Sequence, residues 1–214
     1  MKAILCKEYG PAETLVIEDV PSPKMGDRGV KIRVKAAGLN FPDTLIIEGK
    51  YQLQPPMPFS PGGELAGEVI EVGDKVTRFK PGDRVAALTG FGAFAEEVVA
   101  PESNLLPIPD NMPDEKAAGF MMVYGTSYYA LKQRANLQPG ETLLVLGASG
   151  GVGLAAVELG KAMGAKVIAA ASSSEKLRIA KDAGADELIN YTDEPLKDAV
   201  KKLTKGKGVD VIYD

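Results

Sequence analysis

The sequence predicts an α/β protein in two parts: a compact, barrel-like all-β module, then the first half of a doubly wound parallel sheet. Three observations predict it. Thirteen of the fifteen prolines lie at or before Pro113, so the chain changes character there. Before that point, short alternating runs are punctuated by turn residues. After it, strand and helix patterns take turns, and a glycine-rich string joins the first of these strands to its helix. The boundaries read as 1–122 and 123–214.

In the first part, Val30-Lys31-Ile32-Arg33-Val34-Lys35 alternates strictly and reads as a half-buried strand. Leu65 to Val72 and Arg84 to Leu88 are similar, separated by Gly73-Asp74 and Pro81-Gly82-Asp83. A helix is expected from Pro113-Asp114-Glu115, where proline suits the first turn and the two acids complement the dipole. It is expected to reach Arg134, weakened in its middle by Gly125.

Thr142 to Leu146 then reads as a buried strand, followed by a helix with Val152, Ala155, Ala156, Leu159 and Met163 on its inward stripe. Lys166 to Ala171 is the next strand, and Glu175 to Ala183 the next helix, closed by Gly184. Glu187 to Asn190 is a third strand. A helix from Pro195 turns Leu196, Val200 and Leu203 inward, and Val209 to Tyr213 is the last strand. Such alternation calls for parallel strands with right-handed crossovers.

The string Leu146-Gly147-Ala148-Ser149-Gly150-Gly151-Val152-Gly153 carries the first chemical signal. Alone it is as compatible with a plain turn. Between a buried strand and an amphipathic helix it reads as a dinucleotide loop, because a pyrophosphate needs backbone N–H groups at a helix N-terminus with no side chain in the way. Gly150 and Gly151 supply the clearance, and Gly153 lets the helix pack closely. At the end of the second strand, NAD enzymes usually carry an acid that binds the ribose hydroxyls. Here Ser172-Ser173-Ser174-Glu175-Lys176 stands there, offering hydroxyl donors and a positive charge to a 2′-phosphate. NADP is therefore the expected cofactor, with Glu175 arguing the other way. The plain alternative is that the serines cap a helix and Lys176 is solvated.

Composition removes several classes. Histidine is absent, which excludes a Ser-His-Asp triad and any imidazole-based zinc site. Cys6 is the only cysteine, so no intrachain disulfide forms, as in a reducing compartment. A net charge of −4 and a pI near 5.1 argue against nucleic acid as a partner. The lysines at 197, 201, 202, 205 and 207 read as a solvated, dipole-matched helix end. Met1 to Gly10 lacks a signal peptide's apolar core, and no apolar run approaches a membrane span. The expectation is a soluble cytoplasmic protein.

Taken with Gly38-Leu39-Asn40-Phe41-Pro42-Asp43, Pro61-Gly62-Gly63-Glu64-Leu65-Ala66-Gly67, Pro81-Gly82-Asp83-Arg84-Val85 and Gly125-Thr126, the glycine loop resembles the zinc-free quinone oxidoreductase (zeta-crystallin-like) branch of the medium-chain dehydrogenase/reductase superfamily. The resemblance implies a GroES-like catalytic domain followed by a Rossmann domain. Zinc-dependent relatives bind catalytic metal through Cys, His and Glu in the first two segments. Matching them puts Asn40 at the Cys position and Gly63 at the His position, leaving only Glu64, so no metal is expected.

The resemblance also implies site residues. Asn40 and Thr126 match positions near the nicotinamide half of NADPH, Gly150, Gly151 and Val152 the pyrophosphate, and Ser172, Lys176 and Tyr191 the 2′-phosphate, beside Ser173. Tyr51 matches a tyrosine that faces substrate. Asn40 is read equally as a turn residue and Tyr51 as a partly buried strand residue.

Without zinc to stabilise an alkoxide, reduction of an isolated ketone is handicapped. A conjugated acceptor delocalises the charge as an enolate or hydroquinone anion, which needs only hydrogen-bond donors such as backbone N–H, Asn40 or Tyr51. The expected substrate is a quinone or enone. An enoyl-thioester reductase and a non-catalytic NADPH-binding protein remain open. A short-chain dehydrogenase reading of Tyr128-Tyr129-Ala130-Leu131-Lys132 is disfavoured, because that pair belongs downstream of the glycine loop. Relatives of this kind continue past the fourth strand and are homodimers when full length. A chain ending at Asp214 is thus expected to be C-terminally truncated, to bind NADPH weakly at most, to lack quinone turnover and to self-associate.

Overall fold

Short runs joined by turns pair antiparallel in the N-terminal part, as their connections require. The computed structural model describes residues 1–214. β1 (Lys2–Leu5) and β2 (Val16–Asp19) form a hairpin-like pair. β3 (Gly29–Gly38) is followed by a short helix, α1 (Phe41–Ile47), that the sequence pattern did not announce. Next come β4 (Glu64–Val72), β5 (Arg84–Leu88), β6 (Glu97–Pro101) and β7 (Leu105–Pro107), which join β3 in a five-stranded antiparallel sheet of order β6-β3-β4-β5-β7.

The alternation expected at Val30 to Lys35 is realised: Val30 and Ile32 are fully buried while their neighbours are more exposed. Val30, Ile32, Leu65, Val69, Val85 and Leu105 share one cluster, filled in by Phe79 and Ala93. Burial of each large side chain stabilises by about 1.5–3 kcal/mol. Two register shifts interrupt the β3–β4 ladder, at Lys31/Ile32 and at Val34/Ala36. Gly67 lies opposite Val34, where an added Cβ would sit 2.3 Å from the Arg33 carbonyl oxygen, so only glycine fits there.

The expected single helix from Pro113 to Arg134 is three pieces. α2 (Asp114–Ala118) stops at Gly119, α3 (Met121–Tyr128) restarts two residues later, and Tyr129–Arg134 is a wider π-type turn. Pro113 precedes the helix in an extended conformation rather than lying in its first turn. Gly125, expected as the weak point, sits inside α3. The break falls at Gly119 because the Phe120 N–H bonds to the Ala117 carbonyl, a tighter turn that ends the α-helical ladder.

The chain divides into two compact units, Met1–Met122 and Val123–Asp214. In the second, β8 (Thr142–Val145), α4 (Gly151–Ala162), β9 (Lys166–Ala171), α5 (Ser174–Asp182), β10 (Glu187–Asn190), α6 (Leu196–Leu203) and β11 (Val211–Tyr213) alternate as expected. All strand pairs are parallel, in the order β10-β9-β8-β11. The order reverses at β8, with β9 and β10 to one side and β11 to the other. Leu143, Val145, Val167 and Ala169 form one buried face with Ala156 and Val157, and Leu144, Ile168 and Ile189 form the other with Ala199. Both faces are therefore covered, as parallel sheets require.

The inward stripe of α4 differs from expectation. Gly153, Ala155, Ala156, Val157 and Gly160 are buried, Leu159 and Met163 only partly, and Val152 is 41% exposed. Small residues face the sheet because the helix lies close to it: a Cβ on Gly160 would meet Leu143 Cδ2 at 2.6 Å.

Gly153 is the stricter position. A Cβ there would lie 2.4 Å from the Gly147 carbonyl oxygen, and backbone cannot yield as a side-chain tip can. Replacing an in-helix glycine by alanine gains about 1 kcal/mol of propensity, against an overpacking cost of roughly 1–3 kcal/mol. In urea or thermal unfolding, Gly160→Ala is expected to be near neutral and Gly153→Ala clearly destabilising. Equal effects would contradict the close approach.

Asp186 couples α4 to β9: its carboxylate accepts from Lys161 Nζ at 2.7 and 2.8 Å and from the Val167 N–H at 2.7 Å. Burial pushes this carboxyl up, but the hydrogen bonds from Lys161 and Val167 outweigh it and hold it below its ordinary 3.8. A carboxyl depressed on folding stabilises above the unfolded pKa, and that contribution is lost as pH falls through the folded pKa. The stability gap between wild type and Asp186→Asn is therefore expected at pH 7 and should close on the acid side. A gap that keeps its pH 7 size as the pH falls well below the ordinary carboxylate range would refute the linkage.

Candidate functional site

In the second unit, the turn after β8 is built by Gly147 at φ +58° and by the Gly150 N–H bonding to the Gly147 carbonyl at 2.9 Å. Gly150 is the N-cap of α4 and, lacking a side chain, leaves the first N–H groups of the helix without a side-chain acceptor. Gly150, Gly151 and Val152 are exposed at this end. The donors of a 12-residue helix are thus presented to solvent with the positive end of the dipole behind them. Such an end accepts an anionic group, and a pyrophosphate fits its chemistry.

Ser127, which the sequence did not single out, anchors this end. It is fully buried on α3, and its hydroxyl donates to the Val152 carbonyl at 2.9 Å and lies 3.0 Å from the Tyr213 hydroxyl on β11. No local pattern could have found it, because its partners lie 25 and 86 residues away. Tyr124 adds a second tie, its hydroxyl donating to the Glu158 carboxylate on α4. That bond, with some burial, pushes the phenol up to about 12. Thr126 lies between these two on α3 and is exposed.

The ends of β9 and β10 gather the other predicted residues. Lys176 Nζ donates to Ser172 Oγ at 3.0 Å, and Ser173 caps α5 by accepting the Lys176 N–H at 3.3 Å. The Tyr191 N–H bonds to the Ala171 carbonyl, which sets its exposed side chain beside this loop. Thr192, not predicted, donates its hydroxyl to the Ser172 carbonyl at 3.4 Å. The capping role expected of the serines is thus real for Ser173, while Ser172 and Lys176 form a separate pair of donors. No acid stands on the end of β9.

In the first unit, Asn40 is the N-cap of α1, which realises its reading as a turn residue. Its backbone N–H donates to the Asp43 carboxylate at 2.8 Å, the return half of a capping arrangement. Its side-chain Nδ2 donates to Glu64 Oε1 at 2.8 Å, and the Met122 N–H donates to Glu64 Oε2 at 2.9 Å. Glu64 is 1% exposed and Asp43 4%. Burial pushes the Asp43 carboxyl up, opposed by hydrogen bonds from the Asn40 and Gly63 N–H groups. The signal that could have found Asp43 is its place three residues after an N-cap Asn.

A zinc ion does not fit this donor set. Both Glu64 oxygens already accept N–H groups, Asn40 offers an amide, and Gly63 offers no side chain. No group of three His, Cys, Asp or Glu side chains stands together anywhere in the chain. Tyr51 is not on a strand but in a bend after α1, packed partly against Cys6, Ile46, Ile47 and Phe59. Its ring anchors a local cluster, a role the strand reading approximated only in its burial. Tyr128 closes α3 and Lys132 lies in the π-type turn, both exposed, so the Tyr-x-x-x-Lys spacing does not sit on one regular helix. The five lysines from 197 to 207 are exposed, and none takes part in the chain's ion pairs.

Comparison with known proteins gives this arrangement its family. Residues 26–110 match the family model of the alcohol dehydrogenase GroES-like domain, and residues 151–214 that of the zinc-binding dehydrogenases. The whole chain is 47% identical to a quinone oxidoreductase-like protein 2 homolog of Nematostella vectensis, spanning 58% of it. It is 44% identical to a Pseudomonas aeruginosa quinone oxidoreductase, spanning 66%. Among solved structures, a probable oxidoreductase from Mycobacterium abscessus superimposes with a TM-score of 0.94 at 42% identity, over the whole chain and 68% of that protein. Escherichia coli quinone oxidoreductase complexed with NADPH does so with a TM-score of 0.93 at 34% identity, over the whole chain and 66% of that protein. The chain thus spans 58–61% of the length of the quinone oxidoreductase-like protein 2 relatives it matches. With its GroES-like module, its parallel nucleotide-type sheet and these relatives, the chain belongs to the quinone oxidoreductase-like family of the medium-chain dehydrogenase/reductase superfamily.

Proposed function

We propose that the protein carrying these 214 residues is an NADPH-dependent, zinc-independent reductase of quinones or other conjugated carbonyls. The observation that carries this reading is the pairing of Ser172 with Lys176 beyond β9, where an NAD enzyme would hold a carboxylate. Ser172, Ser173, Lys176 and Tyr191 are proposed to hold the 2′-phosphate. Gly150, Gly151 and Val152 are proposed at the pyrophosphate, and Asn40 and Thr126 at the nicotinamide half. When bound, the cofactor supplies a hydride. The chain's own task is to hold it in place and to meet the charge that develops on the acceptor with hydrogen-bond donors. Tyr51 is proposed to face the acceptor. The partner is a small molecule, and the whole protein is proposed to be a homodimer.

Cofactor choice is tested by titrating the protein with NADPH and NADH. NADPH is expected to bind more tightly, and Lys176→Ala to narrow the gap by roughly 1.5–3 kcal/mol, the worth of a charge-assisted contact. Equal affinity for both in the unmutated protein would sink the assignment.

Elemental analysis is expected to find no stoichiometric zinc, and chelators to leave quinone-dependent NADPH oxidation unchanged. One tightly bound zinc per chain would overturn the zinc-independent reading. Absence of any quinone- or enone-dependent oxidation, with NADPH binding intact, would favour a non-catalytic binding protein.

A further inference from the structure

The glycine loop of the second unit runs from β8 to α4, and one residue on a third element fastens both of its ends. That residue is Tyr213, the last of β11. β11 lies parallel to β8 with Tyr213 paired to Val145, and the Tyr213 carbonyl accepts the Leu146 N–H at 2.9 Å. This holds the chain just before Gly147, where the loop turns at φ +58°. The Tyr213 side chain packs on the sheet face that α4 covers, against the cluster containing Ala156 and Val157. Its hydroxyl lies 3.0 Å from Ser127 Oγ, which lies 2.9 Å from the Val152 carbonyl oxygen. Val152 stands just after the loop, in the first turn of α4.

The direction of these bonds follows from the protons available. A carbonyl only accepts, so the single hydroxyl proton of Ser127 goes to Val152. Tyr213 must then donate to Ser127. The bonds run from Tyr213 to Ser127 to Val152, and each polarises the next. Ser127 is fully buried, which keeps bulk water from competing for it.

Between the two fastenings lie Gly147 to Gly151. Gly150 and Gly151 bring no side chain to hold this segment, and the bond from the Gly150 N–H to the Gly147 carbonyl closes the turn from within. The first N–H groups of α4 have no intrahelical partner, so their direction depends on how the loop ends are held. We propose that Tyr213 and Ser127 are positioning residues for the cofactor: they fix both ends of the loop so that the N–H groups at the start of α4 converge on the phosphate next to the adenosine. The proposal rests on the dinucleotide reading of the loop given above. Both residues act through the loop rather than by contact with the cofactor.

Two half-ligands separate this role from plain stability. Adenosine 5′-monophosphate carries its phosphate where the loop would meet it, and adenosine 2′-monophosphate where Ser172 and Lys176 would. Each is titrated into the whole protein and into its Ser127→Ala, Tyr213→Phe and doubly substituted forms. Tyr213→Phe deletes the hydroxyl while keeping the ring and the backbone bond to Leu146. Ser127→Ala is expected to weaken the 5′-monophosphate roughly fivefold, the scale of one hydrogen bond, and to leave the 2′-monophosphate unchanged. Tyr213→Phe should weaken the same ligand roughly twofold or more, through the lost polarisation of Ser127. In the Ser127→Ala background it should add nothing, because its hydroxyl acts only through Ser127. Asp186→Asn cuts the tie to Lys161 in the last turn of α4 and serves as the control for lost stability, with neither affinity changed.

Unchanged 5′-monophosphate affinity in either variant, equal losses with both ligands, additive losses in the double variant, or a selective 5′ loss in Asp186→Asn would overturn the proposal. If Ser127→Ala does not fold, the half-buried Tyr213→Phe decides alone, by whether its loss is confined to the 5′-monophosphate. Wild-type protein that binds the 5′- but not the 2′-monophosphate would instead overturn the NADPH reading, and the 5′ series would still judge the loop. Wild type that binds neither would overturn both.

Discussion

The distance at which α4 lies from the sheet governs the second unit. Gly153 and Gly160 occupy positions where a Cβ would press on the Gly147 carbonyl and on Leu143. Their absence of side chain lets Ala155, Ala156 and Val157 bury against β8 and β9, and it fixes where the helix begins relative to the strand end. Because the N-terminal donors cannot move independently of that packing, the apolar contact sets the geometry of the polar site. Ser127 and Tyr124 then tie α3 to the same helix through Val152 and Glu158, so the donors are held from two sides.

The first unit solves a different problem. Two carboxylates, Asp43 and Glu64, are removed from water, and unpaired they would cost several kcal/mol. Each is met by N–H groups: Asn40 and Gly63 for Asp43, Asn40 and Met122 for Glu64. Asn40 serves both, through its backbone and its side chain. The result is a polar knot at the start of α1 and β4.

The groups of that knot do not make a donor set for zinc. At the positions that the family resemblance matches to a thiolate and an imidazole ligand, Asn40 and Gly63 offer an amide and no side chain. Glu64 has turned inward to hold the amide. No helix in the chain is long and apolar enough to cross a membrane.

The sequence by itself determined the strand alternation of β3, the order of strands and helices from Thr142 onward, and the two glycine- and serine-rich loops at strand ends. These are local properties: a period of two or 3.6, a turn that needs glycine, a helix that needs a cap. It also pointed to Ser172, Ser173 and Lys176 by type and place after a strand end, whereas Asn40 and Tyr191 were nominated only by the family resemblance. It misjudged the run from Pro113 to Arg134, since a break at Gly119 and a π-type turn leave no periodic mark. It also put Val152 inward on α4, where it is exposed, and missed Gly153, Val157 and Gly160, which are buried. Only the tertiary structure decided that β11 lies beside β8 rather than beyond β10, that Ser127 is buried against Val152, and that Tyr51 packs into a bend. Only it turned Glu64 toward Asn40. Each of these depends on which distant segments meet, and a chain records its neighbours in sequence far more plainly than its neighbours in space.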